Sequence, residues 1–386
     1  MREPGVAIAG CGAITAIGCG TDVLLAAMRT NASGLRAGER FTAPRFQSAI
    51  VGAALTENDS VDPAHLLATE ALRQARAEAQ QVLNPIPTER IGLVLSTTKA
   101  HIAALERLAE GQSCPDSARR HLQGDLLAAD LAAEHGARGP TQCVSLACVS
   151  GLVALQQGAK LIQRGAADAV LVVGVDHLSA FVVAGFSALK AIDPGGCRPF
   201  DRDRCGLSPG EAGAAIVLVR ADWADKIPGR KIILRGWGGS NDANHLTGPS
   251  RDGSGLALAI RSALATADLS PGQVDYINAH GTGTPYNDAM ESMALRTVFG
   301  ETCPPVSGLK GMLGHTLGAA GVIETIACVL AMRNNFLPGT PRLKFAAEGT
   351  PASLVYEPRP AAKLNHVLKL NTGFGGVNGA LILSHV

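Results

Sequence analysis

Apolar runs of strand length alternate with stretches of helical spacing along this chain, and the alternation passes through a similar series twice. In the first series Val6-Ala7-Ile8-Ala9 reads as a buried strand, Ala64 to Ala79 as a helix, Ile91 to Ser96 as a strand and Asp125 to His135 as a helix. Cys143 to Leu146 is then short and β-favouring. Val149, Leu152, Val153, Leu155, Leu161 and Ile162 fall at helical spacing, and Ala169 to Val175 is a buried strand. After a seam near Ala221 to Gly229, the second series has Ile232 to Arg235, Val274 to Asn278 and Leu368 to Asn371 as strands. Gly253 to Ala265, Ala289 to Phe299 and Ala319 to Met332 are its helices. Such alternation predicts a layered α/β fold in two halves, 1–225 and 226–386. Gly10-Cys11-Gly12 after the first strand half-resembles a dinucleotide loop. Thr15 stands where the third glycine belongs and no acidic residue follows at the ribose position, so NAD binding has weak support.

Composition narrows the function. In 386 residues, 34 Lys and Arg face 33 Asp and Glu, a net charge of +1, so no bulk basic field exists to hold nucleic acid. Hydrophobic residues make up 46% and charged ones 17%, which fits a well-buried enzyme. The 9 cysteines are scattered without a C-x-x-C or a zinc-type His spacing, which predicts reduced thiols, a cytoplasmic location and no metal site. Apolar runs such as Ala169 to Val175 and Thr325 to Met332 fall short of the roughly 20 residues that cross a bilayer, so no membrane span is expected. Ile8-Ala9-Gly10-Cys11 looks superficially like a lipoprotein cleavage box. Its apolar lead is too short, and Arg2 is cancelled by Glu3 and followed by Pro4, so a first buried strand is the better reading.

Cys148 falls at the start of a buried helix, where unpaired N–H groups and the helix dipole favour a thiolate. It belongs to one of four glycine-flanked blocks: Ser145 to Gly151, Asn278 to Pro285, Lys310 to Gly321 and Asn371 to Gly379. Each alone has an ordinary explanation. In this order and spacing, together with Arg198-Pro199-Phe200-Asp201-Arg202-Asp203-Arg204, Gly206 and Gly210-Glu211-Ala212-Gly213, the chain resembles the elongating β-ketoacyl-acyl carrier protein synthases of the thiolase superfamily, from residue 6 to 384. The resemblance implies two βαβαβαββ halves stacked as five αβαβα layers, the first carrying the nucleophile and the second both histidines. It also implies pairing through the sheet edge beside the nucleophile, as a homodimer or with a related ketosynthase-like subunit.

By the same resemblance Cys148 is the acyl acceptor, and His280 and His315 are its paired imidazoles. Lys310 and Glu324 are the charged residues behind the second histidine. Phe374 is the gate beside the acyl pocket and, with Cys148, an oxyanion donor. Thr282 and Thr284 hold the phosphopantetheine arm of acyl carrier protein, and Asn378 braces the glycine loop. Phe186 is a candidate pocket wall. Lys190, and more weakly Arg119-Arg120, are candidate contacts for an acidic carrier protein. The implied enzyme binds no cofactor of its own. Asp288 and Glu291 read as the acidic start of a helix.

The chemistry suits these residue types. A thiolate is a good thioester nucleophile, and two neutral imidazoles donating Nε2–H can stabilise the enolate left when malonyl thioester loses CO2. Some positions depart from the family pattern: Gly283 gives the His-Gly-Thr-Gly-Thr form frequent in polyketide enzymes, Val377 replaces a common threonine, Cys205 replaces an acidic residue, and the stretch from Lys99 to Pro140 is short. Fatty-acid and polyketide or polyene pathways both stay open. One alternative is a non-catalytic chain-length partner, which Cys148 with both histidines opposes. Another is a thiolase, which lacks support because Phe374-Gly375-Gly376 fills the place of its second cysteine. An initiating synthase would carry asparagine in place of His315.

Overall fold

A computed structural model of the chain describes residues 5–41, 49–55, 61–227 and 229–386. The first half contributes strands β1 (Val6–Thr15), β2 (Ile91–Ser96), β3 (Thr141–Val144), β4 (Ala169–Asp176) and β5 (Ala212–Arg220). The helices that link these strands are α1 (Pro63–Glu78), α2 (Gly124–Glu134) and α3 (Ser150–Gln163), beside shorter ones such as Thr21–Thr30, Ile102–Ala109 and Ala180–Ala188. The second half contributes β6 (Ile232–Asn241), β7 (Tyr276–Asn278), β8 (Val306–Ser307), β9 (His366–Gly373) and β10 (Val377–His385). Its helices are α4 (Ser254–Ala267), α5 (Pro285–Phe299) and α6 (Ala320–Asn334).

One 11-stranded sheet runs β8-β7-β9-β10-β6-β1-β5-β4-β2-β3, with the short strand Gly18–Cys19 beside β1. Read outward from the middle, both halves have the same order and the same directions. The strand pairs β1/β5 and β5/β4 are antiparallel, as are β6/β10 and β10/β9. The pairs β4/β2 and β2/β3 are parallel, as are β9/β7 and β7/β8. The halves meet where Val6 and Ala7 pair with Leu234 and Ile233.

Each half is thus β-α-β-α-β-α-β-β, and its sheet is covered on both faces. Along β4, Val170 and Val172 enter one core while Ala169, Leu171, Val173 and Val175 enter another, which is why the strand reads as an unbroken apolar run. The outer layers are α1 with α2, and α4 with α5. Between the two halves of the sheet lie α3 and α6, the shared middle layer. Every residue of α6 from Ala320 to Met332 is buried. The stretch Leu317–Asn334 is long and apolar enough by length and composition to cross a membrane, yet 89% of it is buried inside the protein. The expectation that no apolar stretch approaches a span therefore fails for a physical reason: a middle-layer helix is apolar all round because strands and neighbouring helices, α3 among them, cover it.

One sequence expectation is corrected here. Gly10 and Gly12 form no nucleotide loop, because β1 runs straight through them to Thr15 with only a bulge between Ile8 and Gly10. Side chains there would collide with the Ala75 and Ala71 carbonyl oxygens of α1, so the glycines let strand and helix close up. The lipoprotein-like Ile8 to Cys11 lies in this strand; Arg2, Glu3 and Pro4 fall outside the described residues. The strand β5, between Gly210 and the seam, carried no expectation.

The starts of α3 and α6 cross where Gly151 faces Gly321: a Cβ on Gly151 would stand 2.7 Å from the Gly321 Cα. Close approach there brings the loops ahead of both helices together. Gly321→Val is expected to destabilise the fold by about 3 kcal/mol through overpacking, read from urea unfolding; a change inside ~0.5 kcal/mol contradicts the close-crossing argument.

Candidate active site

The C-terminal ends of the parallel strands converge at this crossing. Beyond β3 the chain turns sharply through Ala147, which has φ of 47°, before α3 begins. Ser150 staples the turn: its Oγ donates to the Ala147 carbonyl at 2.6 Å and accepts from the Leu146 N–H at 2.7 Å. Cys148 stands in this turn, just ahead of the helix. Beyond β7, His280 is fixed by a carboxylate, since Glu291 accepts its N–H at 2.5 Å and that of Gly281 at 2.9 Å. Asp288 likewise accepts from the Thr282 and Gly283 N–H groups at 3.0 and 3.3 Å. Asp288 does stand in the first turn of α5, as expected, and both carboxylates also serve the loop ahead of the helix. Both are fully buried, and their carboxylates replace the missing partners of the His280 loop. Burial pushes the Glu291 carboxyl up to about 7.

His315 follows the turn Lys310–Leu313 and Gly314, whose φ is 74°. Its N–H donates to the Ser208 carbonyl at 2.7 Å, and its own carbonyl accepts from Gly210 at 2.9 Å. The Gly318 N–H donates to Asp176 Oδ2 at 2.6 Å, tying the loop to the end of β4.

One donor atom each of Cys148, His280 and His315 lie within 4.8 Å of one another. The imidazoles meet edge to face, with centroids 5.2 Å apart and planes at 80°. The metal-free expectation rested on spacing along the chain, and the fold joins these donors from three distant segments. His280 Nδ1 faces Lys310 Nζ at 3.1 Å and Asn371 Nδ2 at 3.0 Å. His315 Nδ1 faces the Leu317 N–H at 3.1 Å. All are donors, so each Nδ1 accepts and each proton sits on Nε2. Burial, then Lys310, holds both rings well below the usual histidine range, leaving them neutral near pH 7.

Lys310 Nζ binds Glu324 Oε1 at 2.5 Å, the expected buried ion pair, but its hydrogen bonds place it behind the first histidine, His280, and not behind the second as expected. Sequence reasoning missed its third member: Lys369, fully buried on β9, reaches Glu324 Oε2 at 2.8 Å. Burial works to raise the Glu324 pKa, and the two lysines outweigh it and hold the carboxyl below its usual range. The signal was a lysine inside the apolar run Val367 to Leu370. Also missed were Lys99, paired with Asp176 at 3.3 Å, and Asn371.

The thiol differs from its expectation. Burial pushes Cys148 up to about 11, while Lys310 and then Lys99 pull it down. A helix start alone does not make a standing thiolate in a desolvated pocket; the ammonium groups oppose the burial.

A cavity of about 460 Å³ opens above the cluster, lined by Cys148, His280, His315, Phe374, Phe186, Thr282, Thr284, Lys190 and Asn378 among others. The Phe186 and Phe374 rings are 6.0 Å apart at its wall. Thr282 and Thr284 share a hydroxyl hydrogen bond of 2.9 Å. Asn378 is buried and donates to Asp242 at 2.7 Å and to the Gly376 carbonyl at 3.2 Å, so it braces the glycine loop. Lys190 is exposed at the mouth, and Cys205 lines it. Arg119 and Arg120 do not line the cavity; they pair with Asp116 and Asp130.

A doubled βαβαβαββ unit with a Cys-His-His cluster where the middle helices meet defines the thiolase-like condensing enzymes. The model of the β-ketoacyl synthase N-terminal domain matches residues 28–224, and that of the C-terminal domain matches 232–344. The chain belongs to the β-ketoacyl synthase family. It is 30% identical to a 3-oxoacyl-[acyl-carrier-protein] synthase 2 of Coxiella burnetii, covering 100% of both chains. It is 32% identical to the tetracenomycin polyketide synthase ketoacyl synthase alpha subunit of Streptomyces glaucescens, covering 99% of this chain and 97% of the relative. Among solved structures, the ishigamide ketosynthase/chain length factor superposes with a TM-score of 0.91 at 30% identity, over 100% of both chains.

Lys99→Met removes one of the cations that oppose burial at the thiol. It is expected to slow iodoacetamide alkylation of Cys148 at pH 7.5 several-fold and to move the alkylation profile to higher pH. An unchanged profile contradicts this electrostatic account.

Proposed function

We propose that the protein condenses an acyl group held on Cys148 with malonyl-acyl carrier protein, releasing CO2 and giving 3-oxoacyl-acyl carrier protein. The observation that carries this reading is the thiol and two neutral imidazoles within 4.8 Å of one another at a cavity of about 460 Å³. In the first step Cys148 Sγ attacks the acyl thioester carbonyl, and the carrier thiol leaves with a proton. The N–H groups of Cys148 and Phe374 receive the oxyanion; Gly373 supports this, since a Cβ there would stand 3.1 Å from the Cys148 nitrogen.

In the second step the malonyl C–C bond breaks and its electron pair forms an enolate, whose oxygen accepts from Nε2–H of His280 and of His315. The enolate carbon then attacks the acyl-Cys148 carbonyl, the C–S bond breaks, and the departing thiolate takes a proton from solvent to restore the thiol. Lys310 and Glu324 hold the field behind the histidines and take no proton. Thr282 and Thr284 receive the phosphopantetheine arm, Phe186 and Phe374 shape the acyl pocket, and Lys190 meets the acidic carrier.

Residues 1–225 supply the nucleophile and 226–386 the histidines. A second ketosynthase-like subunit is assigned to the free edge of β3, next to Leu146, which is 39% exposed. A solved ketosynthase in complex with its chain length factor, from Xenorhabdus doucetiae, supports that partner; it is 30% identical with a TM-score of 0.87. The place of work is the cytoplasm, on fatty-acid or polyketide intermediates, without a bound cofactor. A purely chain-length-setting role is disfavoured by the assembled Cys148, His280 and His315.

The test is incubation with a panel of acyl carrier protein thioesters, reading the mass added to the Cys148 peptide. Cys148→Ala is expected to abolish condensation, by about 10⁴-fold or more. His280→Ala and His315→Ala are expected to suppress CO2 release by about 10²-fold or more while leaving acylation. Absence of both acyl transfer and malonyl decarboxylation in the unaltered protein points to the non-catalytic role.

A further inference from the structure

The donors of Cys148, His280 and His315 lie within 4.8 Å of one another, close enough for all three to reach a single soft divalent ion. Histidines that bind metals present a lone pair to the ion and donate their other N–H to an acceptor behind the ring. Here the groups behind the rings are reversed. His280 Nδ1 meets two donors, Lys310 Nζ at 3.1 Å and Asn371 Nδ2 at 3.0 Å, and His315 Nδ1 meets the Leu317 N–H.

Of these donors, a lysine ammonium and a main-chain N–H cannot become acceptors. An amide can, by turning over. Glu324 prevents this for Asn371: Nδ2 also donates to Glu324 Oε2 at 3.2 Å, and a turned amide would set oxygen against carboxylate oxygen. Lys369 anchors that same carboxylate oxygen at 2.8 Å. The orientation leaves Asn371 Oδ1 buried without a hydrogen-bond partner. An amide with a merely structural role would turn to satisfy that oxygen; this one is held with its N–H2 toward the histidine.

We infer that Asn371, oriented by Glu324 and Lys369, is a positioning residue that locks His280 as its Nε2–H tautomer, so that the Cys148–His280–His315 cluster offers N–H donors to a substrate oxygen instead of lone pairs to a metal ion. The purpose of the lock rests on the condensing reading above. Tautomer and metal capture are both measured without turnover, so failure of one idea is distinguishable from failure of the other.

The experiment labels the histidines of the full-length protein with ¹⁵N, assigns His280 through His280→Gln, and reads which ring nitrogen carries the proton. A parallel titration with Co²⁺ follows the thiolate-to-cobalt absorption band. The unaltered protein is expected to show Nε2–H at His280 and no band. Asn371→Asp places an acceptor behind the ring and brings the cluster of Lys310, Lys369, Glu324 and residue 371 from net +1 to neutral. It is expected to move the proton to Nδ1 and to tighten Co²⁺ binding at least tenfold, with a band that Cys148→Ser removes. Nδ1–H at His280 in the unaltered protein, equal Co²⁺ affinity in both proteins, or retained Nε2–H in the folded variant overturns the inference. Should Asn371→Asp not fold, the unaltered protein decides: Nδ1–H at His280, or a Co²⁺ band that Cys148→Ser removes, overturns it.

Discussion

The carboxylate of Glu324, gripped by Lys310 on one oxygen and Lys369 on the other, is the interaction on which the site depends. Each of the three groups is almost fully withdrawn from solvent. Alone, any of these charges would be costly to bury; together they satisfy one another and leave one positive charge over. That surplus works in one direction on what surrounds it. It depresses the basicity of His280 and His315, and through Lys310 it partly offsets the burial of the Cys148 thiol. Removing Glu324 would leave two buried ammonium groups with no carboxylate between them, so the trio is also part of the fold.

The doubled topology explains how residues far apart in sequence come to share this field. The turn between β3 and α3 carries Cys148; its counterpart between β8 and α6 carries His315. The end of β7 carries His280, and the equivalent end of β2 carries Lys99. Asp176 closes β4, and Asn371 lies near the end of strand β9, its equivalent. Ligand sites in parallel sheets form at the carboxyl ends of strands. Here two such ends face each other across the Gly151–Gly321 crossing, and one cavity serves both.

Much of this was legible in the sequence because it rests on local signals. Apolar periodicity gave the strands and helices on either side of Cys148 nearly to the residue, and the glycine-flanked blocks pointed to His280, His315 and Lys310. The misreadings share a cause, since each depended on what lay opposite in space. Gly10 and Gly12 looked like a loop because nothing local announces that α1 packs onto β1. Asp288 and Glu291 were read only as a helix start because their partners are backbone N–H groups in the preceding loop. The Cys148 environment was read from its helix start alone, while its burial depends on the second half. Lys369 and Asn371 acquire meaning only beside Glu324, which lies on another element.

The central claim is that both imidazoles are neutral hydrogen-bond donors while the enolate forms. It is tested most directly by the pH dependence of CO2 release from malonyl-acyl carrier protein. With both rings held well below the ordinary histidine value of 6.5, release should stay level from neutral pH down past 6.5 and fall only in more acidic solution. A rate that already drops at 6.5 or above, or that climbs as the solution is acidified, would contradict this account.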